Sequence, residues 1–319
     1  MLLWDNHTCL PLRPHDTAFL PQLDRFANAG VNVVSINVGF GEQTPEEHLR
    51  LISHFRAWIK QHGDKYELAA TAQDIERIVA AGKLALLFDI EGARAVGDQL
   101  SLIPMYYDLG VRWMSIAYNR NNLVGGGCMD EDPGLSAFGH DFIKEMERTG
   151  MLVCCSHTGA RTVRDVLDIA TKPFIFSHSN PNALWDHKRN IGDDLILACA
   201  KLGGVVGING VGMFLGANDI SSETIARNVD YVAKLAGIDH VGISLDYVFD
   251  NDEVIEFARA NPQLFGFTSP DEAAGVRAFA APEQFCEILA CLKAMGYAQS
   301  DLAKIAGGNW LRVARMVWR

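Results

Sequence analysis

The chain has 319 residues, of which 49% are hydrophobic and 21% charged, and its formal net charge is −11. This composition is typical of a globular protein with enough apolar residues for a large core, so folding requires neither disulfides nor a structural metal. The acidic charge argues against nucleic acid or an anionic membrane as the main partner, because both select basic surfaces.

The start of the chain and its cysteines predict a cytoplasmic protein. The sequence begins Met-Leu-Leu-Trp-Asp, an apolar stretch too short for the core of a signal peptide, and it has no apolar run of transmembrane length. The seven cysteines are an odd number and lack the spacing of a disulfide framework. Most lie in apolar runs, which is typical of small buried hydrophobic residues in a reducing compartment.

Short apolar runs rich in valine and isoleucine alternate with helix-like segments along the chain, as expected for parallel strands buried on both faces. We predict eight strands, which are Leu2–Asn6, Val31–Val38, Leu84–Ile90, Val111–Ala117, Leu152–Cys155, Phe174–Phe176, Val205–Ile208 and Val241–Leu245. Eight strand–helix alternations predict one α/β domain over residues 1–319, a (β/α)8 TIM barrel with its active site at the C-terminal ends of the strands. An open doubly wound sheet is the alternative, although no G-x-G-x-x-G motif follows a strand.

Helix signals lie between the predicted strands. Thr44, Pro45 and Glu47 have the spacing of a capping box with proline at the first helical position. Glycines just before strands are expected to end helices, and they are Gly30, Gly82, Gly110, Gly150 and Gly203. The glycine triplet at 125–127 is interpreted as a flexible turn.

Two segments near the end of the chain have distinct patterns. The stretch 249–282 contains Asn261-Pro262 and Ser269-Pro270, and we predict an extended loop with a helix that lies over the barrel mouth. The tail 301–318 is predicted to form a closing helix.

Residues capable of metal binding or catalysis stand where the predicted strands end. They are His7, Glu91, Tyr118, His157, His178 and Asp246, after strands one, three, four, five, six and eight. In a barrel these ends meet at one rim, so residues far apart in sequence become neighbours. A single histidine at a strand end is more often an ordinary polar residue. Imidazoles and carboxylates together are the ligands that Zn²⁺ prefers, so their joint occurrence predicts a metal site.

Cys9 follows His7 by two residues at the exit of the first strand. A His-x-Cys pair there can present both side chains to one metal ion. A free cysteine in a loop is an equal alternative.

The motifs named next occur in a specific order and span nearly the whole chain. They are Asp5-Asn6-His7-Thr8-Cys9, Asp89-Ile90-Glu91-Gly92, Ser156-His157, Phe176-Ser177-His178-Ser179, Arg189-Asn190, Val241-Gly242-Ile243 with Asp246, and Gly307-Gly308-Asn309-Trp310-Leu311-Arg312-Val313. This ordered set resembles the membrane (renal) dipeptidase family, peptidase family M19 of the metal-dependent amidohydrolase-like barrels.

The resemblance implies a binuclear zinc site and a small substrate. Glu91 would bridge the two ions, His7 and Cys9 would hold one of them, and His157 and His178 would hold the other. Asp246 would handle the protons of the bridging water. Arg189 would bind the terminal carboxylate of a small substrate such as a dipeptide, because a guanidinium grips carboxylates bidentately. Family habit also implies a homodimer.

Two departures from the family pattern leave alternatives open. The first motif ends in Cys9 where the family has aspartate, so the first metal position could use a thiolate or could be weak or empty. Tyr118 stands where the family commonly has a histidine, and its hydroxyl could bind the substrate by stabilising an oxyanion. The main hypothesis is a zinc-dependent, dipeptidase-like amidohydrolase. The alternatives are a mononuclear hydrolase or lactonase with a non-peptide substrate, and a catalytically silent barrel that binds a ligand.

Overall fold

Ten β-strands form one sheet in the computed structural model, which describes residues 1–273 and 278–319. In chain order they are β1 (Trp4–Cys9), β2 (Val33–Phe40), β3 (Tyr66–Leu68), β4 (Leu84–Glu91), β5 (Val111–Ser115), β6 (Leu152–Cys154), β7 (Ile175–Phe176), β8 (Val205–Ile208), β9 (Val241–Ile243) and β10 (Tyr247–Val248). The spatial order is β10-β1-β2-β4-β5-β6-β7-β8-β9, with β3 off this path beside β4. All these strand pairs are parallel.

The sheet closes on itself through the segment from residue 241 to residue 248. β9 pairs with β8 and β10 pairs with β1, and only residues 244–246 separate β9 from β10. The backbone N–H of Leu245 also donates to the Asp5 carboxylate of β1 at 2.9 Å. These links join the last strand to the first, and they confirm the predicted (β/α)8 TIM barrel.

The first strand differs from its prediction. The sequence predicts Leu2–Asn6, whereas β1 continues because Thr8 pairs with Ile36 of β2 and also with β10. His7 therefore lies within the strand, and its predicted position at the strand end is wrong, whereas Cys9 is the last residue of β1 and lies at the exit as predicted. The other predicted strands agree with the observed bounds to within two residues. The sequence analysis missed β3 and β10, which are only three and two residues long.

The described residues also contain fourteen α-helices. In chain order they are α1 (Leu23–Asn28), α2 (Pro45–Gln61), α3 (Ala72–Ala80), α4 (Leu102–Asp108), α5 (Ala137–Thr149), α6 (Ala160–Ile169), α7 (Asp193–Lys201), α8 (Gly212–Leu215), α9 (Ser222–Ala236), α10 (Asn251–Ala260), α11 (Pro270–Ala273), α12 (Gln284–Ala294), α13 (Gln299–Ala303) and α14 (Asn309–Val317). The predicted capping box between Thr44 and Glu47 begins α2. All five glycines predicted to end helices have a left-handed φ, between 75° and 112°.

The N-terminal end of the barrel is closed by the tail of the chain. Side chains of α14 pack against apolar side chains of the strands. Together they form a buried cluster that includes Trp4, Trp113, Trp310 and Val313. The tail is not one helix, because a π-helical turn at residues 304–308 separates α13 from α14. A Cβ at Gly307 would lie 2.7 Å from the carbonyl oxygen of Leu2. Gly307 therefore permits a close approach to the start of β1, and its backbone is non-helical at the interruption, which was not predicted from the sequence.

The segment predicted to cover the barrel mouth does so in its described part. It contains α10, a 3-10 turn (Pro262–Phe265) and α11, and residues 274–277 lie outside the described residues. Val254, Ala258 and Phe265 border the same cavity as Glu91. None of the helices among the described residues combines the length and the apolar character needed to cross a membrane.

Candidate active site

β4 carries two carboxylates, Asp89 and Glu91, on the same face because successive side chains of a strand alternate. Asp89 is bonded at both oxygens. Its Oδ2 accepts from Ser35 Oγ at 2.7 Å, and its Oδ1 accepts from Asn37 Nδ2 at 3.1 Å. His7 Nδ1 lies 3.2 Å from the same Oδ1, so its N–H donates there and its Nε2 is left facing the barrel mouth.

Glu91 stands between two groups of donor atoms. Its Oε1 lies 2.9 Å from Nε2 of His157 and 3.1 Å from Nε2 of His178. Its Oε2 lies 3.6 Å from Nε2 of His7. The residue is 2% exposed, and Oε1 has no hydrogen-bond partner among the described residues. Each oxygen of this carboxylate therefore faces a different set of side chains.

His157 and His178 form the first set, with their Nε2 atoms 2.9 Å apart. Asn119 Oδ1 accepts from His157 Nδ1 at 2.7 Å, which leaves a lone pair on His157 Nε2. Nδ1 of His178 lies 2.7 Å from Ser177 Oγ. Burial lowers the pKa of both imidazoles well below the ordinary value, and nearby positive groups add to this effect. Both rings are therefore neutral and can offer Nε2 to a cation.

His7, Cys9 and Asp246 form the second set. His7 Nε2 lies 3.4 Å from Asp246 Oδ1 and 3.7 Å from Cys9 Sγ, and Sγ lies 3.0 Å from the same Oδ1. Asn209 Nδ2 donates to Asp246 Oδ2 at 2.7 Å. Burial alone would lower the pKa of His7, but the surrounding carboxylates outweigh it and raise the pKa to about 10. The His7 ring stacks on His178 at 4.2 Å, so the two sets are adjacent.

Three site residues adopt the left-handed backbone conformation that favours glycine. The φ angle is 61° at Asn119, 65° at His157 and 56° at Asp246. For a residue with a Cβ this conformation costs about 1–2 kcal/mol, so surrounding contacts must hold it. One such contact is the backbone N–H of Cys128, which donates to the carbonyl of His157 at 2.9 Å. Each of the three follows a strand, where the sharp turn directs its side chain into the site.

The glycine triplet at 125–127 is tightly packed, and its interpretation as a flexible turn is wrong. A Cβ at Gly127 would overlap the backbone of Asn119, and one at Gly125 would lie 2.6 Å from the methyl group of Thr162. The absence of side chains lets this loop approach α6 and the segment after β5 closely. The triplet thus helps to hold Asn119 against His157.

Arg189 and Tyr118 border the site on either side of His157. Arg189 is 3% exposed, and its Nη2 lies 2.9 Å from His157 Nε2 and donates to the carbonyl of His178 at 3.2 Å. Its Nε has no partner, and no carboxylate among the described residues lies within ion-pair distance of it. The Tyr118 ring stacks on His157 at 4.4 Å. Burial raises the pKa of the Tyr118 phenol well above its ordinary value, so its hydroxyl keeps its proton.

The site buries more carboxylates than its cations can neutralise. Asp5, Asp89, Glu91 and Asp246 are each at most 7% exposed. Burial raises the pKa of Asp5 to about 7 and that of Glu91 to about 8. Carboxylates in such surroundings are costly without a cation. The unpartnered Glu91 Oε1, faced by two neutral imidazoles, shows that these residues fit a divalent metal ion.

The structure brings together all of the residues that the sequence analysis selected for the site, which are His7, Cys9, Glu91, Tyr118, His157, His178, Arg189 and Asp246. Their individual roles stay predictions. The residues that orient them were not predicted from the sequence, and they are Ser35, Asn37, Asp89, Asn119, Ser177 and Asn209. Some signals were present, because Asp89 precedes Glu91 by two positions and Asn119 directly follows Tyr118.

Comparison with known proteins gives consistent results. The family model described as membrane dipeptidase, peptidase family M19, matches residues 21–257. An uncharacterized protein in the pqqA 5′ region of Klebsiella pneumoniae is 32% identical over 273 residues, which cover 82% of this chain and 92% of that protein. Dipeptidase tcpJ of Claviceps purpurea is 30% identical over 262 residues, covering 80% of this chain but only 56% of the dipeptidase.

A solved structure of an amidohydrolase from Pseudomonas aeruginosa superimposes with a TM-score of 0.90 at 25% identity, covering 99% of this chain and 96% of that one. The shared fold thus extends over nearly the whole of both chains. Together with the match over residues 21–257, these similarities show that the chain belongs to the membrane dipeptidase family, peptidase family M19.

Proposed function

We propose that the protein is a zinc-dependent, dipeptidase-like amidohydrolase that hydrolyses a small amide carrying a free carboxylate. The observation that carries this proposal is the position of Glu91. Its Oε1 lies within 3.1 Å of both His157 and His178, while its Oε2 faces His7 at 3.6 Å. A carboxylate with a separate donor set at each oxygen is suited to bridging two cations.

In this proposal the residues divide into two metal positions. Glu91 Oε1, His157 and His178 would hold one ion, and Glu91 Oε2, His7 and Cys9 would hold the other, beside Asp246. A divalent metal ion bound there would supply Lewis-acid chemistry, lowering the pKa of water and polarising the scissile carbonyl.

The side chains around these positions would bind the substrate and move its protons. Arg189 would bind the substrate carboxylate, since its Nε has no partner within the described structure. Tyr118 would donate its hydroxyl proton toward the developing oxyanion. Asp246 would accept a proton from water and deliver it to the leaving amine, with Asn209 holding its other oxygen at 2.7 Å.

Metal content and hydrolysis together test this proposal. Protein purified without chelator should carry close to two zinc ions per chain and should hydrolyse members of a panel of L,L and L,D dipeptides. One ion per chain would favour the mononuclear hydrolase or lactonase. No bound metal and no hydrolysis would favour the silent ligand-binding barrel.

The Glu91→Gln variant separates catalysis from folding. Glutamine keeps the size of the side chain but cannot bridge two cations, so we expect kcat/KM to fall by at least about a hundredfold. The exposed Glu131→Gln variant is the matched control and should keep full activity. Full activity of Glu91→Gln against the dipeptide panel would contradict the mechanism.

A further inference from the structure

Two cavities share lining residues at the candidate active site, and a third, of about 190 Å³, borders His157 and Arg189 on the side of Cys128. The first two are both bordered by Cys9, Glu91 and Tyr118, so both reach the reacting centre. The carboxylate-side cavity, of about 80 Å³, extends toward Arg189. The apolar cavity, of about 490 Å³, extends in another direction, toward Phe257.

The carboxylate-side cavity is small, and Arg189 is the residue in it that would anchor the substrate carboxylate. The guanidinium carbon of Arg189 lies 5.4 Å from the centre of the Phe214 ring, which helps to fix the orientation of the anchor. Val211, Met213 and Phe279 complete this wall. A carboxylate bound to Arg189 would hold the C-terminal residue of a dipeptide here, and about 80 Å³ leaves room for only a small side chain on that residue.

The apolar cavity is bordered by a continuous row of aromatic rings. The ring of Phe40 lies 4.9 Å from Tyr118 and 5.2 Å from Phe257, and Phe257 lies 6.0 Å from Phe265. Leu264 adds an aliphatic surface. Small-molecule sites typically have volumes of about 300–1,000 Å³ and predominantly apolar walls. This cavity therefore has the space and the lining for a large apolar group.

The charges around the apolar cavity are acidic. Glu42, Glu47, Asp250 and Glu253 border it, and the described residues that border it include no lysine or arginine. Arg13, which lies outside this lining, pairs with Asp250 at 3.1 Å. Arg13 also pairs with Glu253 at 3.4 Å and Arg94 pairs with Glu42, so these arginines are already engaged by the rim acids. An acidic side chain entering this cavity would lose its hydration without meeting a cation in the described lining, whereas an apolar one would not bear this cost.

We propose, on the basis of the function proposed above, that the enzyme selects dipeptides with a large apolar N-terminal side chain and a small C-terminal one. The Arg189 anchor sets the direction of the substrate. The N-terminal residue then extends past Glu91 and Tyr118 into the apolar cavity. Phenylalanyl-glycine fits this description, while glycyl-phenylalanine and glutamyl-glycine do not.

The test compares kcat/KM of the zinc-loaded protein for phenylalanyl-glycine, alanyl-glycine, glycyl-phenylalanine and glutamyl-glycine. We expect kcat/KM for phenylalanyl-glycine to be about tenfold or more higher than kcat/KM for each of the other three dipeptides. Leu264→Trp narrows only the apolar cavity and should abolish the preference for phenylalanyl-glycine over alanyl-glycine. Met213→Ala enlarges only the carboxylate-side cavity and should raise kcat/KM for glycyl-phenylalanine. Equal rates for all four substrates, or a preference that Leu264→Trp does not change, would overturn the inference.

A binding measurement keeps this inference separate from the proposed function. Phosphinate analogues of phenylalanyl-glycine and glycyl-phenylalanine can be titrated calorimetrically into the zinc-loaded protein. Their binding can be measured whether or not the protein hydrolyses dipeptides. Tighter binding of the first analogue supports the cavity assignment even when no dipeptide is hydrolysed, in which case only the proposed hydrolysis fails. Equal affinities, or no binding of either analogue, would overturn the assignment.

Discussion

At the scale of single residues, the two carboxylates of β4 have different surroundings and therefore different uses. Asp89 already accepts hydrogen bonds at both oxygens, from Ser35 at 2.7 Å and from Asn37 at 3.1 Å. Glu91 Oε1 has no such partner among the described residues, although it is equally buried. Ser35 and Asn37 thus satisfy Asp89, which orients His7. Asn37 also donates to Glu91 Oε2 at 3.3 Å, so Oε1 is the Glu91 atom that is suited to a cation.

The Cys9 thiol is the residue that most distinguishes this site from the family pattern. If its Sγ binds metal, replacing zinc by Co²⁺ should give a thiolate-to-cobalt charge-transfer band in the near ultraviolet, because thiolates are soft, strongly donating ligands. Cys9→Ser should lose the band. The exposed Cys286→Ser variant is the control and should keep it. Identical spectra for the wild type and Cys9→Ser would show that the thiol is not a ligand.

At the scale of elements, α2 is attached to β2 by one buried histidine. His48 Nδ1–H donates to the carbonyl of Val38 at 3.0 Å, and a Cβ at Gly39 would overlap the His48 ring. Burial lowers the pKa of His48 below its ordinary value. A neutral imidazole therefore links α2 to β2, and the space beside it does not allow a residue larger than glycine at position 39.

This lowered pKa predicts a pH dependence of stability. The unfolded chain binds a proton at His48 near the ordinary pKa of about 6.5, before the folded chain does, so stability falls as the pH drops below that value. The loss from this group is at most about 1.4 kcal/mol per pH unit. His48→Gln can still donate to Val38 but cannot titrate, so its unfolding free energy should fall less between pH 7 and pH 5. Parallel pH profiles for the two proteins would refute this assignment.

The elements and the rim residues were predictable to different extents. Apolar runs such as Leu84–Ile90 predict buried parallel strands, and the residues that follow them meet because a barrel brings strand ends together. The extension of β1 was not predictable in this way, because His7 and Cys9 are polar residues that face the site from within a strand. Strands are recognised in a sequence by their apolar residues, so polar residues at the end of an apolar run are assigned to a loop.

The local geometry of the site was predictable to a smaller extent. Histidine and aspartate adopt left-handed φ angles more readily than most residues, but nothing in the local sequence marks His157 and Asp246 as positions that do so. The close approach between Gly127 and Asn119 depends on how the loop between them folds back, and composition alone makes the triplet look flexible. The orienting role of Asn119 depends on this packing and was therefore not visible in the sequence.

At the scale of the whole molecule, chemistry and stability are separated between the two ends of the barrel. The candidate site lies at the C-terminal ends of the strands, while α14 closes the N-terminal end. Trp310 packs under β9, where its Nε1 donates to the carbonyl of Ile243 at 3.3 Å. Changes at this lower end should alter folding rather than catalysis.

Gly242→Ala tests this separation. A Cβ at Gly242 would lie 2.6 Å from Nε1 of Trp310, so the variant is overpacked and should lose about 1–3 kcal/mol of unfolding free energy. Its zinc content and its kcat/KM for dipeptides should equal those of the wild type at temperatures where it is folded. Loss of zinc from the folded variant would show that the two ends are coupled.

The proposed function depends on Glu91 binding two cations. The most direct measurement is an anomalous difference map at the zinc absorption edge from crystals grown with zinc. We expect two peaks on opposite sides of the Glu91 carboxylate, one of them contacting His157 and His178. Zinc peaks only elsewhere in the molecule, with no ion in contact with Glu91, would contradict this proposal.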